Sequence, residues 1–166
     1  IIAFMDLAEK EHIDKKSHWF NPGVNTNYPS NQANKLYSEV VALPGIRNIQ
    51  QTNDVLSQWS FIQGGEDYEK IESARKLEPS EYTLNPSLGM ISLRNTLNPD
   101  EVLAVAFEYT LGGRVYQVGE FSTDPIKSPE ALVLKMLKGT AQSPQLMTWD
   151  LMMKNVYDIG AQDIQK

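Results

Sequence analysis

The 166-residue sequence contains no cysteine, which excludes a disulfide framework, a thiolate zinc site and a cysteine nucleophile. Basic excess is missing too: 15 Lys and Arg stand against 21 Asp and Glu, a formal net charge of −6. Charge alone therefore draws the chain neither to phosphate backbones nor to anionic lipid, and nucleic acid is not an expected partner. Long apolar runs are absent as well. No window approaches the roughly 18 consecutive apolar residues of a membrane helix, and no basic start followed by an apolar stretch marks a signal peptide. No GxSxG, GxxxxGK[ST], GxGxxG or EF-hand loop occurs, and the paired glycines fall at turns. No residue is nominated as a nucleophile, no cofactor is expected, and the chain reads as noncatalytic.

What is present is ordinary globular composition, 41% hydrophobic and 22% charged, in a length that suits one domain with a sizeable core. The expected class is α+β, an antiparallel sheet packed with about three short helices. Residues 1–66 read as a strand, a long loop and helices, residues 67–124 as a β-meander, and residues 125–166 as a strand and a closing helix. The opening at Ile1 and the polar and apolar alternation beginning at 163–166 suggest a single domain, or a domain fragment, cut from something larger.

The apolar stretch 1–8, interrupted only by Asp6, is too short for a typical helix and predicts a buried strand. Residues 19–34 hold Asn21-Pro22-Gly23, Pro29 and further asparagines, the turn chemistry of an Ω-type surface loop. Asn31 is placed to cap a helix carrying Leu36, Tyr37, Val40, Val41 and Leu43 that Pro44-Gly45 ends. A second helix starts at Asn53 and uses Val55, Leu56, Trp59 and Ile62 before Gly64-Gly65. Both are short and must lean on a sheet.

From 68 to 124, short alternations separated by turn signals predict an antiparallel meander. Residues 68–77 fit a helix and a strand alike, and continuity with the meander favours the strand. In 101–111, Leu103, Val105, Phe107, Tyr109 and Leu111 share one face, and Gly112-Gly113 supplies the positive φ angles of a primed two-residue turn. This hairpin is expected to be the structural centre, with Phe107 in the core. Residues 131–138 predict a strand ended by Gly139. The closing helix is expected to be capped by Thr148, to carry Trp149, Met152, Met153, Val156 and Tyr157 on one stripe, and to stop at Gly160.

Few residues suggest chemistry. His12, Asp14 and His18 lie close in sequence and offer metal-type ligands, but their spacing matches no zinc signature, and a solvated loop explains them better. The acidic pairs Glu66-Asp67 and Asp100-Glu101 fit turn or cap chemistry, because neighbours on a strand point to opposite faces. Trp19, Phe20, Tyr28 and Tyr37 flank the Asn-rich loop and offer a sugar-stacking surface, against the plainer role of clamping the loop to the core. Trp149, Met152 and Met153 offer an adaptable partner-binding stripe, although such stripes are usually core.

The words YEKIESARKLEPSEYTLNPSLGMISL at 68–93, EVLAVAFEYTLGGRVYQVGEFSTD at 101–124 and WDLMMKNVYDIG at 149–160 resemble the SprA/Sov family of gliding-motility and cell-surface proteins of the Bacteroidetes. IIAFMDLAEK at 1–10 and YPSNQANKLY at 28–37 are similar to the same family. The resemblance implies a very large outer-membrane β-barrel, the translocon of the type IX protein secretion system, with soluble domains inserted between barrel strands. This chain would then be one such insertion, periplasmic or at the cell surface, and the family has no catalytic residues to carry over. Residues 101–111 have the length of a membrane strand, yet the helices, the proline-rich joints and a mean hydropathy of −0.39 fit a water-soluble unit better. The expected function is structural or partner-binding, with secretion-system subunits or secreted substrates as partners. The alternative is an adhesin-like or carbohydrate-binding module.

Overall fold

The computed structural model describes residues 1–10, 16–20, 23, 28–126 and 129–152. Their elements are β1 Ile2–Phe4, α1 Lys16–Trp19, α2 Leu36–Ala42, α3 Thr52–Leu56, β2 Tyr68–Lys70, β3 Tyr82–Asn85, β4 Met90–Leu93, β5 Leu103–Val105, β6 Phe107–Leu111, β7 Arg114–Val118, β8 Val133–Lys138 and α4 Met147–Asp150. The class is α+β, as expected.

The apolar opening run does form a strand, and its lack of alternation is explained by burial on both faces. β1 lies inside a four-stranded sheet of order β2-β1-β8-β5. It pairs antiparallel with β2 and parallel with β8, where Ile2 stands opposite Val133. Ile2 and Phe4 join Leu7, Trp19, Leu36, Val40, Ile46 and Leu56 in the larger core cluster. Ala3 and Met5 point the other way and join Met136 and Leu146. The first and last strands of the sheet thus hold the two core layers together, and the parallel pair makes the sheet mixed rather than purely antiparallel.

Both early helices form, with different starts. Lys35 precedes α2 as its N-cap without a side-chain cap bond, and the Leu36 N–H donates to Asn34 Oδ1 at 2.9 Å. Asn31 is not the cap, because its amide is committed to Gly119: Nδ2 donates to the Gly119 carbonyl at 3.0 Å and Oδ1 accepts the Gly119 N–H at 2.8 Å. α3 is shorter than the apolar spacing predicts. Trp59 and Ile62 lie in the non-helical segment that follows it and still pack on the core. The described end of the Asn-rich loop is not wholly superficial, since Ser30, Ala33 and Asn34 are buried.

The expected meander is divided. β2 covers only the first part of 68–77 and joins the main sheet, β3 pairs with β4 alone, and β6 pairs with β7 alone. The predicted strand 101–111 breaks at Ala106 into β5, which pairs with β8, and β6, which does not. Gly119 causes the close approach there: at φ +70 its Cα sits where a Cβ would meet Ala106 Cβ at 3.1 Å and the Val105 carbonyl oxygen at 3.2 Å. From residue 69 to residue 117 no residue is buried. The Gly112-Gly113 hairpin therefore exists as predicted but is not the structural centre, and Phe107 is 38% exposed.

At the carboxyl side β8 matches the expected strand. Thr148 lies inside α4 and is buried, while Leu146 takes the N-cap position without a side-chain cap bond. The predicted continuation through Met153, Val156, Tyr157 and Gly160, and the alternating tail at 163–166, lie outside the described residues.

Candidate interaction surface

The β6–β7 ribbon presents an aromatic face because strand alternation puts Phe107, Tyr109 and Leu111 on the same side as their partners Val118, Tyr116 and Arg114. Tyr109 and Tyr116 stack with ring centroids 5.2 Å apart and planes 16° apart, and Phe107 stacks on Tyr109 at 6.1 Å. Tyr28 meets Tyr116 edge-on at 5.7 Å, and the Tyr109 hydroxyl donates to the Pro29 carbonyl at 2.8 Å. Desolvation, then the neighbouring Tyr116 and Tyr28, raises the Tyr109 phenol above its ordinary value. Tyr28, Phe107 and Leu111 remain exposed around this stack, and Val115 is exposed on the opposite face of the ribbon. Gly112 and Gly113, at φ +58 and +77, close the ribbon with the turn that the sequence predicts.

The root of the ribbon is fastened. Asn31 grips Gly119 from both sides, and its N–H donates to the Gln117 carbonyl at 2.8 Å. Gln117 Nε2 donates to the Gly119 carbonyl and to Asp124 Oδ2, each at 3.0 Å. One residue further, Glu120 is buried and collects donors from three parts of the chain. Tyr37 Oη donates to its Oε1 at 2.8 Å, Arg47 donates to Oε2 at 2.5 Å and to Oε1 at 2.7 Å, and the Val133 N–H donates to Oε2 at 2.7 Å. Arg47 also reaches the Ala131 carbonyl at 3.0 Å. The hydrogen bond to Glu120 raises the Arg47 pKa, and burial followed by the Glu120 hydrogen bond pushes the Tyr37 phenol up to about 12. With its oxygens engaged by these donors, Glu120 ties ribbon, helix and sheet together and is poorly placed for proton transfer to a ligand.

Two buried lysines escaped the sequence reading. Lys135 Nζ donates to the Met5 carbonyl and pairs with Glu9 Oε1 at 2.7 Å, and burial lowers its pKa against the pull of Glu9. Lys138 Nζ donates to the carbonyls of Pro99 at 3.0 Å, Glu101 at 2.5 Å and Gly139 at 3.3 Å, and burial lowers its pKa too. The available signal was two lysines inside the apolar stretch 131–138, where a strand buried on both faces leaves such side chains little water.

The residues singled out for chemistry are not gathered into one site. His12 and Asp14 lie outside the described residues, while His18 stacks on Phe61 with centroids 3.4 Å apart. Among the described residues no group of three or more His, Asp and Glu is arranged to hold a metal ion. Asp67 Oδ2 accepts the Gln63 N–H at 2.7 Å and Glu101 Oε2 accepts the Asn98 N–H at 2.7 Å, so both acidic pairs serve turns. Of the four loop aromatics, Trp19 is in the core between Trp59 and Phe61, Tyr37 is bound to Glu120, and only Phe20 and Tyr28 are exposed. They make no common sugar platform. Trp149 and Met152 are half-buried, and Met153 lies outside the described residues.

No helix among the described residues is long and apolar enough to cross a membrane. No family model and no curated protein matches the chain.

Proposed function

We propose that the chain is a noncatalytic, partner-binding domain of an SprA-like outer-membrane protein, serving type IX secretion and gliding motility from the periplasmic or cell-surface side. One observation carries the binding role: of the nine large apolar residues exposed among the described ones, Leu84, Leu88, Ile91, Phe107, Leu111 and Val115 lie on the two ribbons. Apolar exposure concentrated on projecting elements marks contact sites. Aromatic side chains rich in tyrosine, held on a fastened root, suit protein recognition because little ordering entropy remains to be lost on binding. The SprA-like words, two of which span these ribbons, supply the secretion context.

Biolayer interferometry with the immobilised chain against purified type IX subunits and secreted substrates tests this reading. The expected result is saturable binding to at least one component, weakened tenfold or more by Phe107→Ser with Leu111→Asp, both exposed on the aromatic face, while the thermal midpoint shifts only by the amount expected of surface changes. Absence of binding to every component, or binding indifferent to both substitutions, overturns it.

A further inference from the structure

We propose that Lys135 and Glu9 are a self-modifying pair, joined by an amide between Nζ and the side-chain carbon Cδ that ties the turn after β1 to β8. The inference does not rest on the secretion reading. Nζ lies 2.7 Å from Glu9 Oε1, and a nitrogen so placed is about 3–3.5 Å from the carboxyl carbon, the separation of groups poised to react. Both partners are held there. Lys135 stands opposite Phe4 of β1 and Val105 of β5, so its stem lies among apolar neighbours, and only 6% of the side chain is exposed. Its Nζ donates to the Met5 carbonyl, which fixes its direction. On the other side Asn34 Nδ2 donates to the carbonyls of Asp6 at 2.7 Å and Glu9 at 2.8 Å, and between them Ala8 takes φ +65, a left-handed conformation costly to a residue with a Cβ. Strain of this kind persists where surrounding contacts over-determine it, and here the clamped turn carries Glu9 onto the lysine.

The chemistry is a condensation and draws on no co-reactant. Burial lowers the Lys135 pKa against the charges of Glu9 and Asp6, because an ammonium out of water is costly. Within the 2.7 Å contact one proton passes from Nζ to the Glu9 carboxylate, which turns the ion pair into a free amine and a carboxylic acid. The amine lone pair then forms the N–C bond at Cδ. Asp6, buried and the second carboxylate whose charge reaches Lys135, relays the next Nζ proton to the departing hydroxyl. The C–O bond breaks and one water leaves, so an ammonium and a carboxylate have become a secondary amide and water. The Glu9 side chain is 22% exposed, which gives that water a way out. The product replaces a buried ion pair, whose desolvation offsets much of its attraction, with a neutral group. In a chain without cysteine, it is a covalent closure that ordinary side chains can supply. The step occurs once per chain and is not turnover.

Electrospray mass spectrometry of the folded, purified chain, denatured just before injection, tests this. The expected mass is below that of the sequence by one water, and tandem spectra of a digest should show a branched peptide joining residue 9 to residue 135. Glu9→Gln keeps the acyl carbon but changes the leaving group, so it should lose one ammonia in place of water. Glu9→Ala and Lys135→Met should each keep the full mass of their sequences. Asp6→Asn, which removes the relay, should slow the loss about tenfold or more when it is followed from cell-free synthesis. A folded wild-type chain at its full sequence mass, a water loss that maps to a linear peptide, a folded Glu9→Gln chain that loses nothing, or a Lys135→Met chain that still loses water overturns the proposal. Loss at the wild-type rate in Asp6→Asn overturns the relay.

Discussion

Glu120 has a buried carboxylate with donors from a helix side chain, a loop arginine and a strand amide, and each of those donors loses its acceptor if the carboxylate goes. Glu120→Ala should therefore cost about 3–5 kcal/mol, the scale for removing one partner of a buried charged pair. Urea unfolding measures it, and a loss below about 1 kcal/mol would mean that water replaces the carboxylate without difficulty. Tyr37 adds a pH signature. Its folded pKa of about 12 exceeds the ordinary phenol value of 10.0, so its contribution is complete below about pH 10 and is lost as pH rises through about 12. Absorbance titration of the folded chain should show a late phenol ionisation that disappears in Tyr37→Phe. A titration with the same late component in that variant assigns it elsewhere.

At the scale of elements, the instructive pair is Phe4 and Phe107. Both sit in strands predicted from sequence, and only Phe4 is in the core, at 2% exposure. Phe4→Ala should cost about 3–5 kcal/mol, whereas Phe107→Ala should cost about 1 kcal/mol, the worth of its ring contact with Tyr109. Equal losses in chemical denaturation would contradict this division. Gly119 makes a sharper case at the ribbon root. Gly119→Ala forces a side chain into the left-handed region and against Ala106, at a cost of at least about 1–2 kcal/mol. Gly113 has a similar φ but nothing within 4 Å of its added Cβ, so Gly113→Ala should cost only the backbone part. Melting curves that rank the two glycines in the reverse order would show that the root is loose.

Across the whole molecule, what could be read from sequence is what local patterning controls. The apolar run at 1–8, broken only by Asp6, marked a buried strand, Gly112-Gly113 marked a primed turn, and the stretch 131–138 marked a strand. Alternation in 101–111 revealed an apolar face but carried no information on whether this chain covers it, and the supposed centre proved to lie in a stretch, 69–117, with no buried residue. Pairing was equally hidden. The β1–β8 contact joins residues about 130 positions apart, and the Glu120 cluster is assembled from Tyr37, Arg47 and Val133, separations at which single-residue spacing says nothing. The central claim is therefore a division of labour: a core built on β1, β8 and the Glu120 tie, and a middle segment that presents surface. Amide hydrogen exchange of the chain at monomeric dilution tests it most directly. The account predicts the slowest exchange at Ala3, Val133 and Glu120, and exchange in 82–93 and 107–115 orders of magnitude faster. Ribbon amides as slow as those of β1, under the same conditions, would contradict it.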